Sequence, residues 1–378
     1  MFPRRVLLTV LGLLSLLHIY IGMRLIPDID PGPWGVAAGV VLLAMSTLLM
    51  PAGLVSSRYR RWKYADQLAW VGLVAMGFFS SLLLLTISRD AALLVLTLFG
   101  AATPPVVRAS AIAVPLLALG VTLVGYINAR RVAKVVTVDV PIAGLPAAFE
   151  GYTIVQISDI HVGPTIKRGY LNAIVTKVNA LHPDAIAITG DLVDGSVQRL
   201  SLHTEPLARL AATDGTFFVT GNHEYYSGAQ EWITELRRLG LTVLLNEHVV
   251  RERAGDALMI AGVTDFSAHQ FHESHRSDPF AAAVGAPGNV RVRVLLAHQP
   301  RSAPAAAEAG FDLQLSGHTH GGQFFPWNFF VPLQQPFTAG LNRLRALWVY
   351  TSRGTGYWGP PKRFGAPSEI TRVRLVAA

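Results

Sequence analysis

The chain has 378 residues, 51% of them hydrophobic and only 15% charged, with a net charge of +8 and a mean hydropathy of +0.39. Soluble domains carry about 25% charged residues, so part of this chain belongs in lipid; the low charge, with 34 glycines and 23 prolines, also excludes a coiled coil or a disordered chain. No cysteine is present, which removes disulfides and thiolate metal sites and leaves His, Asp, Glu and Asn as ligands.

The charge is unevenly placed. Residues 1–134 hold 12 Lys+Arg against 4 Asp+Glu, whereas residues 135–378 hold 20 of each. The whole surplus lies in the apolar part, where basic residues orient membrane helices, so a nucleic-acid surface is not expected.

Five stretches lack charge entirely: Val6–Met23, Pro31–Ser57, Gln67–Ser88, Ala91–Val107 and Ala109–Ala129. A spanning helix needs about 20 mostly apolar residues. Four stretches qualify, giving a transmembrane region 1–134 with spans near 5–24, 34–57, 67–88 and 109–129. Ala91–Val107 carries Gly100, Pro104 and Pro105, and only Arg89–Asp90 part it from the stretch before, so it is expected as an interfacial or re-entrant piece. With four spans, Arg4 and Arg5, then Arg58, Arg60, Arg61 and Lys63, then Arg130, Arg131 and Lys134 share one side. The positive-inside rule makes that side cytoplasmic and predicts a multi-pass protein of the cell (inner) membrane. Arg4–Arg5 also resembles a twin-arginine signal, but no cleavage site follows and further spans do. His18 is the only ionisable group well inside a span, which gives a transport path little support.

From Val135 short β-rich runs alternate with helical segments, the pattern of an α/β domain over 135–378. Runs are expected at Val135–Val140, Thr153–Ile157, Ala185–Thr189, Phe217–Thr220, Leu258–Val263, Val292–Ala297 and Leu313–Leu315, with helices at Tyr170–Leu181 and Ala229–Leu239. Five runs end on metal-ligand chemistry: Asp159-Ile160-His161, Gly190-Asp191, Gly221-Asn222-His223-Glu224, His298, and Gly317-His318-Thr319-His320. Ligands bind at the carboxyl ends of strands in open α/β sheets. An extended backbone would aim Asp159 and His161, and likewise His318 and His320, the same way. Seven donors are more than one divalent ion takes, which suggests two ions sharing a carboxylate; mixed N and O ligands suit Mn, Fe or Zn. Alone, an Asp-x-His is common by chance and a Gly-Asp is usually a turn. Five such endings in this order are not.

These motifs resemble the five-motif signature of the calcineurin-like metallophosphoesterases, and the tail from Gly354 to Ile370 is similar to their membrane-associated bacterial branch. The resemblance covers roughly Val135 to Val376. It implies a four-layer sandwich of two mixed β-sheets flanked by helices, preceded here by the bundle of about four transmembrane helices. It implies one metal on Asp159, His161, Asp191 and His320 and a second on Asp191, Asn222, His298 and His318. His223 would face the substrate phosphate and act on the leaving oxygen; otherwise it is a histidine held by Glu224 or Asp194. The expected activity is hydrolysis of a phosphodiester or pyrophosphate, in a membrane-associated or lipid-linked substrate because the site is tethered at a bilayer. A membrane-anchored phosphodiesterase or phosphatase for soluble esters or nucleotides, and a non-catalytic metal-stabilised scaffold, are the alternatives.

Other residues stay open. Arg353 either binds phosphate or forms a surface ion pair. Asp265 either anchors a ligand or ends its strand, and His269, His272 and His275 either bind a third metal or line a solvated loop. The run Phe324–Phe330 either packs in the core or meets an acyl chain or membrane surface.

Overall fold

The computed structural model describes residues 4–56 and 63–378; Arg58, Arg60 and Arg61 of the charge argument lie outside the described residues. The chain forms two compact units, Met1–Ile127 with Gly359–Lys362, and Asn128–Trp358 with Arg363–Ala378.

The first unit is built on four helices, α1 (Arg4–Ile29), α2 (Gly32–Ser56), α3 (Ala65–Leu98) and α4 (Pro104–Arg130), each long and apolar enough to cross a membrane. α2 and α3 approach closely because each supplies a glycine: a Cβ on Gly72 would lie 2.3 Å from the Leu49 carbonyl oxygen and 2.7 Å from the Gly53 Cα. Small residues of this kind let apolar helices meet backbone to backbone.

Ala91–Val107 is not a separate piece. Its first eight residues continue α3 through Arg89 and Asp90, and its last four open α4. α3 passes the charged pair because α1 supplies partners to both residues. Arg24 Nε donates to Asp90 at 2.8 Å, the Tyr20 hydroxyl donates to Asp90 at 2.6 Å, and Arg89 pairs with Asp28 at 2.5 Å. The helix ends only where Gly100 takes a φ of 66°.

The second unit holds two six-stranded sheets. The strands are β1 (Lys134–Ile142), β2 (Thr153–Ile157), β3 (Ala185–Ile188), β4 (Thr216–Phe218), β5 (Thr242–Val243), β6 (Glu247–Arg253), β7 (Asp256–Gly262), β8 (Val290–Leu296), β9 (Leu313–Ser316), β10 (Gly340–Leu344), β11 (Leu347–Thr351) and β12 (Glu369–Ala377). One sheet runs β1-β12-β2-β3-β4-β5 and the other β10-β11-β9-β8-β7-β6. Both are mixed: β2 to β5 are parallel but β12 joins β2 antiparallel, and β7, β8, β9 and β11 are parallel but β6 and β10 are not.

Side chains alternate across each strand, and the alternation builds the layers. Ile154, Ala185, Ala187 and Phe217 of the first sheet meet Leu258, Ile260, Val292, Val294 and Leu315 of the second in one buried core. Their neighbours Val155, Ile157, Ile186, Ile188 and Phe218 point outward onto α5 (Arg168–Asn179), α6 (Val197–Thr204) and α8 (Ala229–Arg238). Met259, Ala261 and Leu295 point the other way, onto α9 (Pro279–Ala283) and α10 (Ala303–Glu308). The result is helix, sheet, sheet, helix. The short α7 (Asn222–Ser227) follows β4.

Candidate metal centre

The donors fall just beyond the carboxyl ends of β2, β3 and β4 in one sheet and β8 and β9 in the other. The local backbone differs from the extended one expected. Asp159, His161, Asp191, His318 and His320 have φ between 50° and 71°, a left-handed region that non-glycine residues rarely occupy and that concentrates at functional sites. The chain therefore turns at each donor. Backbone bonds lock these turns together: Asp159 N–H donates to Gly190 O at 3.0 Å, His161 N–H to Asp191 O at 3.1 Å, and Gly317 N–H to His298 O at 2.9 Å. Two glycines are required by contact: a Cβ on Gly221 would sit 2.2 Å from Asp191 Oδ1, and one on Gly317 would sit 2.2 Å from Asp159 Oδ2.

Among the described residues, three groups of side chains could hold a metal ion: Asp159, His161 and His320; Asp191, His298 and His318; and His161, Asp194 and His223. In the first, His161 Nε2 and His320 Nε2 face each other at 3.1 Å, and His320 Nε2 lies 3.6 Å from Asp159 Oδ1. In the second, His298 Nε2 lies 3.2 Å from His318 Nδ1 and 3.2 Å from Asp191 Oδ2. Two nitrogens bound to one ion at about 2.0–2.1 Å in a tetrahedral arrangement stand roughly 3.3 Å apart, so both spacings suit a shared cation. Asp191 Oδ2 also lies 3.9 Å from His161 Nε2, which sets this carboxylate between the two groups. The Asn222 side-chain oxygen is buried and has no hydrogen-bond partner. A buried polar atom left so is costly unless something binds it.

Outer contacts fix which nitrogens are available. His298 Nδ1 donates to Thr189 O at 2.7 Å, and His161 Nδ1 donates to Asp194 Oδ1 at 3.1 Å, leaving both Nε2 atoms inward. His223 Nδ1 donates to the same Asp194 oxygen at 2.6 Å, and its Nε2 lies 3.9 Å from Asp191 Oδ2. Of the two partners considered for His223, Asp194 makes the contact. Glu224 instead accepts from the N–H groups of Gly221, Asp191 and Leu192 at 2.7–3.0 Å, tying β3 to the start of α7.

The electrostatics follow. Burial alone would lower His223, but Asp191 and Asp194 outweigh it and raise it to about 9. Burial opposes protonation of His298 as well, yet Asp191 holds it well above the usual range. His318, buried near other cationic groups, is pulled down to about 3 and stays a neutral donor. Asp191 thus draws positive charge into a buried space.

A cavity of about 290 Å³ opens on these groups, lined by His161, Asp191, Asn222, His223, His318, His320, Tyr226 and Trp358. Tyr226 and Trp358 are exposed rings flanking His223, with centroids 5.2 and 5.7 Å away. Gln323 holds Trp358 in place: its side-chain amide donates to Trp358 O at 2.7 Å and accepts from Trp358 N–H at 2.8 Å.

Several residues sit elsewhere. Arg353 does not line the cavity; its guanidinium pairs with the buried Glu369 at 3.0 Å. Asp265 is fully buried and accepts from Gln299 Nε2 at 3.0 Å, beside His298. His269 and His272 join none of the three ligand groups among the described residues; His275 bonds the Tyr225 hydroxyl at 2.9 Å. Arg363 had no role in the motif reading, yet its buried guanidinium donates to His320 Nδ1 at 2.9 Å, His320 O at 2.9 Å and Arg353 O at 2.7 Å. Its only signal in the sequence is its place in the tail that carries the family resemblance.

Residues 152–322 match the calcineurin-like phosphoesterase family. A transmembrane protein with metallophosphoesterase domain from Danio rerio is 41% identical over 274 residues, covering 69% of this chain and 62% of that protein. One of the same description from Bos taurus is 40% identical over 278 residues, covering 70% and 63%. An uncharacterized metallophosphoesterase of Campylobacter jejuni is 33% identical over 375 residues, covering 97% of this chain and 96% of that one. The chain therefore belongs to the calcineurin-like metallophosphoesterases, a family of phosphoric ester hydrolases. It spans less than two thirds of the length of the two vertebrate proteins.

Proposed function

We propose that the second unit hydrolyses a phosphodiester or pyrophosphate bond with two divalent ions, and that the substrate is membrane-associated or lipid-linked. The ions are assigned to Asp159, His161, Asp191 and His320 and to Asp191, Asn222, His298 and His318, with Asp191 shared. The observation that carries this reading is the pairing of facing imidazole nitrogens with the unpaired Asn222 oxygen around one carboxylate. The donor chemistry, nitrogen and oxygen without sulfur, suits Mn, Fe or Zn.

A pair of such ions supplies a hydroxide nucleophile near neutral pH and neutralises phosphoryl charge. The chain's own residues do the rest. Asp194 fixes the His223 ring through Nδ1, so Nε2 faces the cavity. Asp194, bonded to Nδ1, favours the imidazolium form of His223, which donates its Nε2 proton to the oxygen that leaves phosphorus. Asp194 holds that positive charge in readiness. Tyr226 and Trp358, which line the cavity with their rings 5.2 and 5.7 Å from that of His223, are set to contact the leaving group. Arg353 is outside the cavity lining and paired with Glu369, so a phosphate contact would require it to leave that pair.

The lipid-linked assignment is supported by the four apolar helices and by relatives described as transmembrane. By the positive-inside pattern the second unit is assigned to the cytoplasmic side of the inner membrane. Full-length protein with Mn should cleave bis(p-nitrophenyl) phosphate, and on a detergent-dispersed panel it should favour lipid-linked phosphodiesters or pyrophosphates. Faster turnover of soluble nucleotides than of every lipid would shift the assignment to soluble esters; no turnover would leave a scaffold. A reporter fused after Ala378 should read as cytoplasmic, and activity of a periplasmic phosphatase reporter there would reverse the orientation.

A further inference from the structure

The uncharged segment after His320 is buried at Phe324 and Gln335, but most of its large side chains between them are not. Phe325 is 50% exposed, Phe329 66%, Phe330 53% and Leu333 80%. The exposed rings pack in pairs. Two short 3-10 turns, Trp327–Phe329 and Val331–Leu333, carry them, with ring centroids 5.8 Å apart for Phe325 and Phe329 and 5.7 Å for Trp327 and Phe330. Water is a poor neighbour for so many adjacent large apolar groups, and contiguous patches of this kind mark contact surfaces.

We propose that Phe325–Leu333 is a membrane-docking loop whose apolar side chains enter the interfacial layer of the bilayer that the chain's own helices span. Three observations commit it to lipid. The chain carries four helices fit to cross a membrane, so a bilayer is always at hand. Residues 324–339 contain no charged side chain, so nothing in the segment opposes entry, and Arg301, which donates to the Gln334 carbonyl at its end, offers a cation to lipid phosphate. Aromatic side chains are also the residues that favour the membrane–water interface.

The loop is tied to the metal centre. A Cβ on Gly322 would lie 2.2 Å from Asn328 N, so the segment folds back tightly on the turn that carries His320, and Phe325 N–H donates to Phe364 O at 2.9 Å. Docking the loop thus brings the cavity to the headgroup layer, where a lipid-linked phosphate lies.

Because the chain has no cysteine, Phe330→Cys accepts a single polarity-sensitive fluorophore. The labelled full-length protein, in vesicles of phosphatidylcholine and phosphatidylglycerol at low protein density, should emit blue-shifted light. It should be quenched several-fold more by nitroxide on the acyl chains than by aqueous iodide. Label at Leu202→Cys, on α6 and 71% exposed, should show the reverse. Phe329→Cys repeats the measurement if Phe330→Cys does not fold. A Phe330 label that behaves like the Leu202 label would overturn the proposal, and so would protection that grows with protein density, which would make a second copy the occupant. The measurement uses no substrate, so its failure is separate from failure of the hydrolysis reading.

Discussion

Each unit buries a cluster of polar side chains, and the two clusters are resolved in opposite ways. In the first unit the Arg89 guanidinium is only 5% exposed, yet its donors reach Ser110 Oγ at 2.9 Å, Arg24 O at 3.1 Å, Val107 O at 3.1 Å and Asp28 at 2.5 Å. That guanidinium is closed by partners on α1 and α4, and such closure is what makes a buried charge structural. In the second unit imidazole nitrogens face one another at 3.1 and 3.2 Å and the Asn222 oxygen faces nothing. That cluster is open, and its facing donors could hold a metal ion.

The difference can be broken from the second unit first. Asp191→Asn removes the charge to which both donor groups turn; turnover should fall by at least about 10²–10³-fold, the range for losing one charge-stabilising group, and bound metal should fall with it. His223→Ala should lower kcat by about 10²–10⁴-fold, the usual share of a proton donor, while metal content by elemental analysis stays at the parent level. A parallel loss of metal would make His223 a ligand. Asp194→Asn touches the outer contacts of His161 and His223 and should cost about 10–100-fold.

The same variant has a pH signature. His223 is raised above its ordinary 6.5, so its acid form persists at neutral pH and is lost as pH rises through about 9. Removing the Asp194 charge weakens the raise, so the alkaline limb of the kcat profile should move to lower pH. A limb that stays in place would remove His223 as the proton donor. The smallest effect on the site comes from the closed cluster. Arg89→Gln should cost about 1.5–3 kcal/mol for each charge-assisted hydrogen bond lost, seen as a lower Tm in detergent, with metal content unchanged.

Much of the second unit was legible because its chemistry sits at strand ends. β2, β3, β4, β8 and β9 are apolar runs that stop at Asp159, Asp191, Asn222, His298 and His318, and both the run and the stop are local signals. β12 was not legible: it lies between β1 and β2, parallel to one and antiparallel to the other, and no local pattern announces a pairing across more than 200 residues. Arg363 was missed for the same reason, since its tie to His320 is long-range. The convergence of Asp159 with His161 was expected from an extended chain and arises instead from left-handed turns, a conformation that strand packing imposes against residue preference. In the first unit, apolar length marked the helices, but the charges of Arg89 and Asp90 read as a break until α1 supplied their partners.

Elemental analysis of the full-length protein shows whether the facing donors hold metal. Two transition-metal ions per chain are expected in the parent, with loss in Asp191→Asn. A chain that binds none, or an Asp191→Asn variant that keeps the full complement, would contradict the two-ion assignment.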